Sequence, residues 1–291
     1  HSRSALVKRC AAGNFIARPH AARTPSEIGV CDLVVIGLKT TVNGEFPNLL
    51  PRLVGPQTVV LTLQNGLGNE EALAKLFPAD QIMGGLCFVC LNRIEPGFVR
   101  HIEHGFVMIG EFQRQPMART HDIATLFERA GVKCTVSEDL SRAHWEKLVW
   151  NVPFNGLGVA GIAGIDAMDG GVVPARVTRH NCLPTDELLA DARWTALVRG
   201  LMLEVVHAAN LLGHAIPESL ADKMIERTRT MGTYRASTLI DFEHGQPLEL
   251  ESLFLEPLRQ AKQSGAAVPL MMNLCAVLSE LDRRRSEQFR S

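Results

Sequence analysis

Residues 32–40 read DLVVIGLKT, and this stretch decides the class of fold. Its apolar residues follow one another without polar alternation, which is typical of a parallel strand that is covered on both faces. Gly37 ends this apolar run, and Leu38 and Lys39 follow it directly. We therefore expect a buried parallel strand, with residues suited to a ligand just beyond its carboxyl end.

The rest of the first half repeats this alternation of short apolar runs and helical patterns. Its predicted elements are a strand over Thr58–Leu63, a helix starting near Asn69, a hairpin of Ile82–Leu91 and Phe98–Gly110 around a turn at residues 95–97, a helix over Asp122–Ala130 and a strand over Val132–Val136. Alternation of this kind predicts an α/β sheet.

After Ser137 the pattern becomes helical throughout, with Gly and Pro at helix boundaries. The predicted helices span Glu138–Asn151, Asp186–Leu212, Pro217–Met231, Ala236–His244, Glu249–Ser264 and Pro269 to about Arg285. We therefore predict two domains, an α/β domain over residues 1–137 and an all-α domain over residues 138–291.

Composition excludes several classes of protein. Apolar residues make up 46% and charged residues 21% of the 291, which is the balance of a globular chain. Thirty basic against 31 acidic residues argue against a nucleic-acid partner, which requires a basic face. The first residues lack the pattern of a signal peptide, so a cytoplasmic location is expected. Seven scattered cysteines, including the Cys87/Cys90 pair in an apparent strand, predict reduced thiols and no metal site.

The segment from Leu148 to Ile165 carries no charge and imitates a membrane span in length. It also contains Asn151, Asn155 and Pro153, together with four glycines. This composition favours buried backbone beside a ligand, and no membrane partner is expected. The motif Gly-x-Gly-x-x-Gly at residues 156–161 follows a predicted helix instead of a strand, so we interpret it as packing and not as a dinucleotide fingerprint.

Two groups of polar residues are candidates for chemistry. Asn65 and Gly66 follow the second parallel strand, although Asn-Gly is also a common plain turn. Lys147, Asn151 and Asn155 are spaced four apart, which places an ammonium and two amides on one face of a helix. A solvated lysine is the ordinary alternative, and Pro153 is expected to kink or end this helix.

Four segments in order, DLVVIGLKT, LQNGLG, WEKLVWNVPFNGL and AST…PLELESL, resemble the ketopantoate reductase (2-dehydropantoate 2-reductase) family over nearly the whole chain. The resemblance implies a Rossmann-like dinucleotide-binding domain followed by a helical domain like that of 6-phosphogluconate dehydrogenase. It also implies NADPH-dependent reduction of 2-dehydropantoate to pantoate, on the route to pantothenate and coenzyme A.

The resemblance also implies roles for single residues. Lys147 matches the lysine that protonates the C2 carbonyl oxygen, and Glu249 matches an acidic residue near nicotinamide and substrate. Residues that match substrate-binding groups are Asn65, Asn151, Asn155 and Ser237. Residues on the NADP(H) side are Arg3, Lys39, Asn65, Gly66 and Glu249, with Arg3 matching the arginine that meets the 2′-phosphate.

One departure from the family stands at the start of the sequence. The sequence does not show the opening strand, the Gly-x-Gly-x-x-Gly turn and the following helix that the resemblance implies, so we expect that one β-α-β step of about 30 residues is missing from it. Three explanations stay open: a sequence restricted to ordered residues, a shortened chain, or a natural protein without the pyrophosphate-binding turn. Two alternatives to the leading function stay open. One is a reductase of another 2-oxo acid on the same fold, and the other is a non-catalytic scaffold, for which the missing turn is the evidence. A homodimer is a further hypothesis, with interface candidates Leu211, Leu212, Leu253 and Leu255.

Overall fold

The computed structural model describes residues 6–10, 14–177 and 181–288, which form two compact units. The first unit holds the described residues up to Leu38, together with Val42–Asn65 and Asn69–Leu140. The second unit holds the chain from Ser141 onward and two short segments, Lys39–Thr41 and Gly66–Gly68. These two segments directly follow predicted parallel strands, yet they group with the helical half of the chain.

The first unit is built on a seven-stranded sheet within the described residues. Its strands are β1 (Leu6–Cys10), β2 (Phe15–Ala17), β3 (Leu33–Ile36), β4 (Val59–Thr62), β5 (Ile82–Glu95), β6 (Phe98–Glu111) and β7 (Lys133–Val136). The order is β2-β1-β6-β5-β4-β3, and β7 pairs with the second half of β6. Strands β3, β4 and β5 run parallel, and β5 and β6 form the predicted antiparallel hairpin.

Helices cover both faces of the central strands. They are α1 (Phe46–Leu49), α2 (Asn69–Ala74) and α3 (Ala118–Arg129). Val60 packs with Phe46 and Leu73 in one apolar cluster, whereas its neighbour Leu61 packs with Ile123 in another, because successive side chains of a strand point to opposite faces. Strand β3 was expected to be covered on both faces, and within the described residues this holds for one face only: Val34 and Ile36 are buried, whereas Val35, which points to the opposite face, is 46% exposed.

The second unit is helical, and the described residues after Val136 contain no strand. Its helices are α4 (Leu140–Ala160), α5 (Ala167–Gly170), α6 (Thr185–Ala190), α7 (Ala192–Leu211), α8 (Ser219–Arg229), α9 (Ser237–Glu243), α10 (Glu256–Gln263) and α11 (Pro269–Gln288). A π-helical turn over Glu251–Leu255 leads into α10. One apolar core joins α4 to α7 and α11, and it includes Leu253, which leaves the exposed Leu211 and Leu212 as interface candidates.

Two helix predictions are wrong in detail. The stretch Asp186–Leu212 forms two helices, because the Asp191 carboxylate accepts hydrogen bonds from the N–H groups of Arg193 (2.7 Å) and Trp194 (3.1 Å) and so caps the start of α7. Helix α4 does not end at Pro153 but continues to Ala160. Every residue from 151 to 160 is buried, where the backbone polar groups find hydrogen-bond partners in the helix and not in water.

The glycines at 156, 158 and 161 lie in α4 and in the turn that directly follows it, and they pack against neighbouring side chains, as the interpretation of this motif as packing predicts. A Cβ atom would lie 2.6 Å from Leu274 at Gly156, 2.6 Å from Leu239 at Gly158 and 2.3 Å from Leu183 at Gly161. Within the described part of the chain, no helix combines the length and the apolarity that a membrane crossing requires.

The buried cysteines are poor nucleophiles. Burial raises the pKa of Cys134 to about 11 and the pKa values of Cys182 and Cys275 to about 12, so these thiols stay protonated at neutral pH. Cys87 is half-buried in β5, and the side chain of Cys90 lies outside the described residues.

A buried carboxylate at the end of β6 ties this strand to the start of α3. Glu111 Oε2 lies 2.6 Å from Arg119 Nη2 and 3.0 Å from Arg114 Nη2, and Thr120 Oγ1 donates to Oε1 at 2.6 Å. Burial alone would raise the pKa of Glu111, but the hydrogen bonds from Arg119, Thr120 and Arg114 outweigh it and the pKa is lowered from 4.5.

We expect Glu111→Gln to lower the free energy of unfolding by about 2–4 kcal/mol at neutral pH, because two arginines lose their buried counter-charge. Since the folded-state pKa is lowered, the contribution of Glu111 is complete above pH 4.5 and fades as the pH falls through the lowered pKa. Urea unfolding of both proteins at several pH values measures this difference.

The matched control is Glu226→Gln, which removes a carboxylate from an exposed ion pair with Arg229 and should change stability by less than about 0.5 kcal/mol. Equal effects of the two substitutions, or a Glu111 effect that grows towards acid pH, would show that the cluster does not stabilise the fold in this way.

Candidate active site

Helix α4 presents the three predicted polar residues Lys147, Asn151 and Asn155 on one continuous face. Their burial increases along the helix, from the half-buried Lys147 to Asn155, which is 4% exposed. Because α4 continues through Pro153, the spacing of four residues is kept up to Asn155. The helix thus places an ammonium at the more open end of a row of buried amides.

The orientation of the two amides is set by a backbone donor. The N–H of Thr238 donates to Asn155 Oδ1 at 3.3 Å, so this atom is an oxygen and the amide cannot be reversed. Asn155 Nδ2 then donates to Asn151 Oδ1 at 3.4 Å. Because Asn151 Oδ1 accepts this hydrogen bond, Asn151 Nδ2 is the atom of this amide that can donate to a ligand.

Helix α9 begins beside this row of amides. Its first residue, Ser237, is exposed. The next residue, Thr238, donates its N–H to Asn155 Oδ1. Asp241 follows Ser237 by four residues and therefore lies on the same face of α9. The structure thus brings the start of α9 to the Asn155 end of the α4 row.

Glu249 stands just before the π-helical turn and is 5% exposed. The N–H of Thr40 donates to its Oε1 at 2.8 Å, and Lys39 Nζ lies 3.6 Å from its Oε2. Thr40 is itself held by a hydrogen bond of 2.8 Å between its Oγ1 and Ser252 Oγ. Lys39 and Glu249, two residues singled out from sequence, are thereby brought together across more than 200 positions of chain.

Lys39 has a second and closer partner. Its Nζ lies 2.6 Å from Asp241 Oδ2 on α9. Desolvation by itself would lower the pKa of Lys39, but the charge of Glu249 and the hydrogen bond with Asp241 outweigh it, so the pKa is raised above its ordinary value. Lys39 is therefore an ammonium throughout the neutral range.

The segment Gly66–Gly68 packs against the turn that carries Ser252. Gly66 has a φ of +85°, and a Cβ atom there would lie 2.2 Å from the carbonyl oxygen of Ser252. The N–H of Leu67 donates to that same oxygen at 2.9 Å. Gly66 was expected to let a ligand approach the backbone. The structure shows that a glycine is needed there because the Ser252 carbonyl leaves no room for a side chain.

In the α/β unit, Asn65 follows β4 in a polar network that the sequence did not reveal. Gln64 Nε2 donates to Asn43 Oδ1 at 2.8 Å, Asn43 Nδ2 to Asn69 Oδ1 at 2.9 Å, and Asn69 Nδ2 to the carbonyl of Asn65 at 3.1 Å. These bonds tie the loops after β3 and β4 together, at the carboxyl ends of parallel strands. The motif QNG was a usable signal for Gln64, whereas nothing in the sequence marked Asn43.

Arg3, a predicted cofactor-binding residue, lies outside the described residues. Thr40 lies in the stretch after the first parallel strand that was expected to suit a ligand. Asp241 and Ser252 were not singled out from sequence, because each becomes important only through a partner that is far away in the chain. Taken together, the described residues offer an ammonium, oriented amides and a buried carboxylate, which suit hydrogen bonding and proton transfer to a small polar molecule.

Comparison with known proteins finds two matching family models. Residues 3–114 match Ketopantoate reductase PanE/ApbA, and residues 177–282 match Ketopantoate reductase PanE/ApbA C terminal. The chain is 39% identical over 259 residues to 2-dehydropantoate 2-reductase from Nostoc sp., covering 87% of this chain and 75% of the relative.

Two further similarities span both units. The chain is 31% identical to 2-dehydropantoate 2-reductase from Halobacterium salinarum, covering 89% of this chain and 78% of the relative. The crystal structure of 2-dehydropantoate 2-reductase from Geobacter metallireducens GS-15 matches with a TM-score of 0.83 and 42% identity, covering 94% of this chain and 86% of that chain.

We expect Gly66→Ala to lower the free energy of unfolding by more than about 2 kcal/mol, because it adds a Cβ atom at a positive φ against the Ser252 carbonyl. Gly44→Ala is the matched control, since a Cβ atom there meets nothing within 4 Å and φ is not positive. Thermal unfolding of both variants measures the effect. A Gly66 variant as stable as the Gly44 variant would contradict the close packing of Gly66 against the Ser252 carbonyl.

Proposed function

This chain belongs to the ketopantoate reductase family, and from that premise we infer that it is an oxidoreductase that reduces 2-dehydropantoate to pantoate, a step of pantothenate biosynthesis. Its cofactor is a nicotinamide dinucleotide. The observation that carries the assignment of residues is the unbroken helix α4, which presents Lys147, Asn151 and Asn155 on one face. The small, anionic 2-oxo acid offers the carbonyl and carboxylate oxygens that such donors bind.

We propose that Lys147 is the proton donor of the reaction. When bound, the nicotinamide supplies the hydride that C2 of the substrate receives. The ammonium of Lys147 hydrogen-bonds to the C2 carbonyl oxygen and gives it a proton as negative charge develops there. The C–O π bond becomes a C–OH single bond, and Lys147 is left as the neutral amine, to be reprotonated from solvent.

Substrate binding is assigned to Asn65, Asn151, Asn155 and Ser237. The amide chain supports this, because Asn155 fixes Asn151 so that Asn151 can present Nδ2 as a donor to a substrate oxygen. Ser237 offers its hydroxyl at the exposed start of α9. Glu249 is proposed to accept a hydrogen bond from a substrate hydroxyl or to orient the ammonium of Lys147.

We further propose that the dinucleotide is NADP(H), bound through Arg3, Lys39, Asn65, Gly66 and Glu249, with residues 1–137 as the cofactor domain and residues 138–291 as the substrate and catalytic domain. The residues after β3 fit such a group. Lys39 is a half-exposed ammonium suited to an anionic group. In this arrangement Lys39 would hold the cofactor, and Gly66 would shape the loop beside it.

The test of the function is cofactor oxidation by the full-length protein with 2-dehydropantoate, beside pyruvate as an unbranched 2-oxo acid and beside NADH. Turnover selective for 2-dehydropantoate and NADPH supports the whole proposal. Preference for pyruvate would instead favour a reductase of another 2-oxo acid. Absence of both turnover and cofactor binding would favour a scaffold.

We expect Lys147→Ala to lower kcat by about 10²–10⁴-fold, because the proton donor to the carbonyl oxygen is lost. Lys223→Ala is the control, because Lys223 lies exposed on α8 and should leave kcat unchanged. Steady-state kinetics at saturating cofactor measure both. A Lys147 variant with wild-type kcat would remove this residue from the mechanism.

We also propose a homodimer, supported by the exposed Leu211 and Leu212 at the end of α7. Contiguous exposed apolar side chains are a feature of protein–protein interfaces. Light scattering of the purified protein should give twice the mass of the chain, and a monomer mass would refute the proposal.

A further inference from the structure

We propose that Asp241 is a positioning residue of the reaction, which acts by holding Lys39 beside Glu249. The inference rests on the proposed function, in which Glu249 acts at the substrate. Asp241 is not among the residues that the family resemblance marks, and it is identified here from its contacts. Its carboxylate lies 2.6 Å from Lys39 Nζ, whereas Glu249 Oε2 lies 3.6 Å from that nitrogen.

The buried Glu249 carboxylate needs both of its neighbours, Lys39 and Thr40. A carboxylate that is 5% exposed is costly unless hydrogen bonds and a counter-charge compensate it. The N–H of Thr40 donates a hydrogen bond to Oε1, and the Lys39 ammonium forms an ion pair with Oε2. Adjacent residues 39 and 40 therefore form a clamp that engages one carboxylate oxygen each and sets the orientation of the carboxyl plane.

Thr40 and Lys39 are each held by a further partner. Ser252 Oγ holds the hydroxyl of Thr40 at 2.8 Å. The Lys39 side chain is half exposed and has a flexible four-carbon stem, so it would spread over many rotamers without a partner. Asp241 supplies that partner and is the closer of the two carboxylates.

Asp241 lies on a helix that also contacts an amide of α4. It lies on α9, four residues after Ser237 and on the same face. The start of α9 is fixed by the hydrogen bond between the Thr238 N–H and Asn155 Oδ1. The short helix α9 thus contacts Asn155 through Thr238 and Lys39 through Asp241. It therefore links the proposed substrate-binding amides of α4 to the lysine beside Glu249.

The test is Asp241→Asn in the full-length protein, a substitution that keeps the shape of the side chain and removes its charge. We expect kcat to fall about tenfold through a misplaced Glu249, while KM for 2-dehydropantoate changes less than about threefold. Thermal unfolding should stay close to that of the wild type, because the Lys39–Asp241 pair is partly exposed. Asp241→Glu, which restores the charge, should recover part of kcat.

Asp222→Asn is the matched control, since it removes a carboxylate from an exposed ion pair with Arg199, and it should leave kcat unchanged. A double-mutant cycle with Lys39→Met separates direct from indirect action at saturating cofactor. If Asp241 acts through Lys39, the double variant has the same kcat as Lys39→Met alone.

A wild-type kcat for Asp241→Asn, or losses that multiply independently in the double variant, would overturn the inference while the proposed function stands. No recovery in Asp241→Glu, together with lowered thermal stability in both Asp241 variants, would overturn it in favour of a structural role. Absence of turnover in the wild-type protein would overturn the proposed function, and this inference with it.

Discussion

The helical half of the molecule depends on α4 remaining a helix across Pro153. From residue 151 to residue 160 the helix lies in an apolar core, where an unpaired backbone group costs far more than a distorted turn. The glycines after Asn155 allow Leu274, Leu239 and Leu183 to pack directly onto the helix. This packing keeps Asn155 in register with Asn151 and Lys147, so the candidate site follows from how the core is built.

Every buried polar group of the site is oriented by a partner that is itself held. Asn155 is fixed by a backbone N–H at the start of α9, and it fixes Asn151 in turn. Glu249 is held by Thr40, which Ser252 anchors, and Gly66 allows Leu67 to reach the Ser252 carbonyl. Such chains of contacts fix rotamers before a ligand arrives, which reduces the entropy that binding must overcome.

Much of the architecture could be predicted because it depends on local pattern. The apolar runs of β3 and β4, the hairpin around residues 95–97 and the helices of the second half all have a period or a boundary residue that marks them. The errors arose where context overrides the local pattern. Asp191 divides a continuous helical pattern because its side chain caps α7, and α4 continues past Pro153 because residues 151–160 are buried, where a helix provides the backbone hydrogen bonds.

The sequence by itself determined the α/β and all-α halves, the family, and the row of Lys147, Asn151 and Asn155, because helix period and short motifs are properties of neighbouring residues. Only the tertiary structure decided that Lys39 and Thr40 clamp Glu249, that Asp241 holds Lys39, and that Gly66 makes room for Ser252. These contacts join residues about 190 to 210 positions apart, and no local propensity encodes a distance between two side chains brought together by packing.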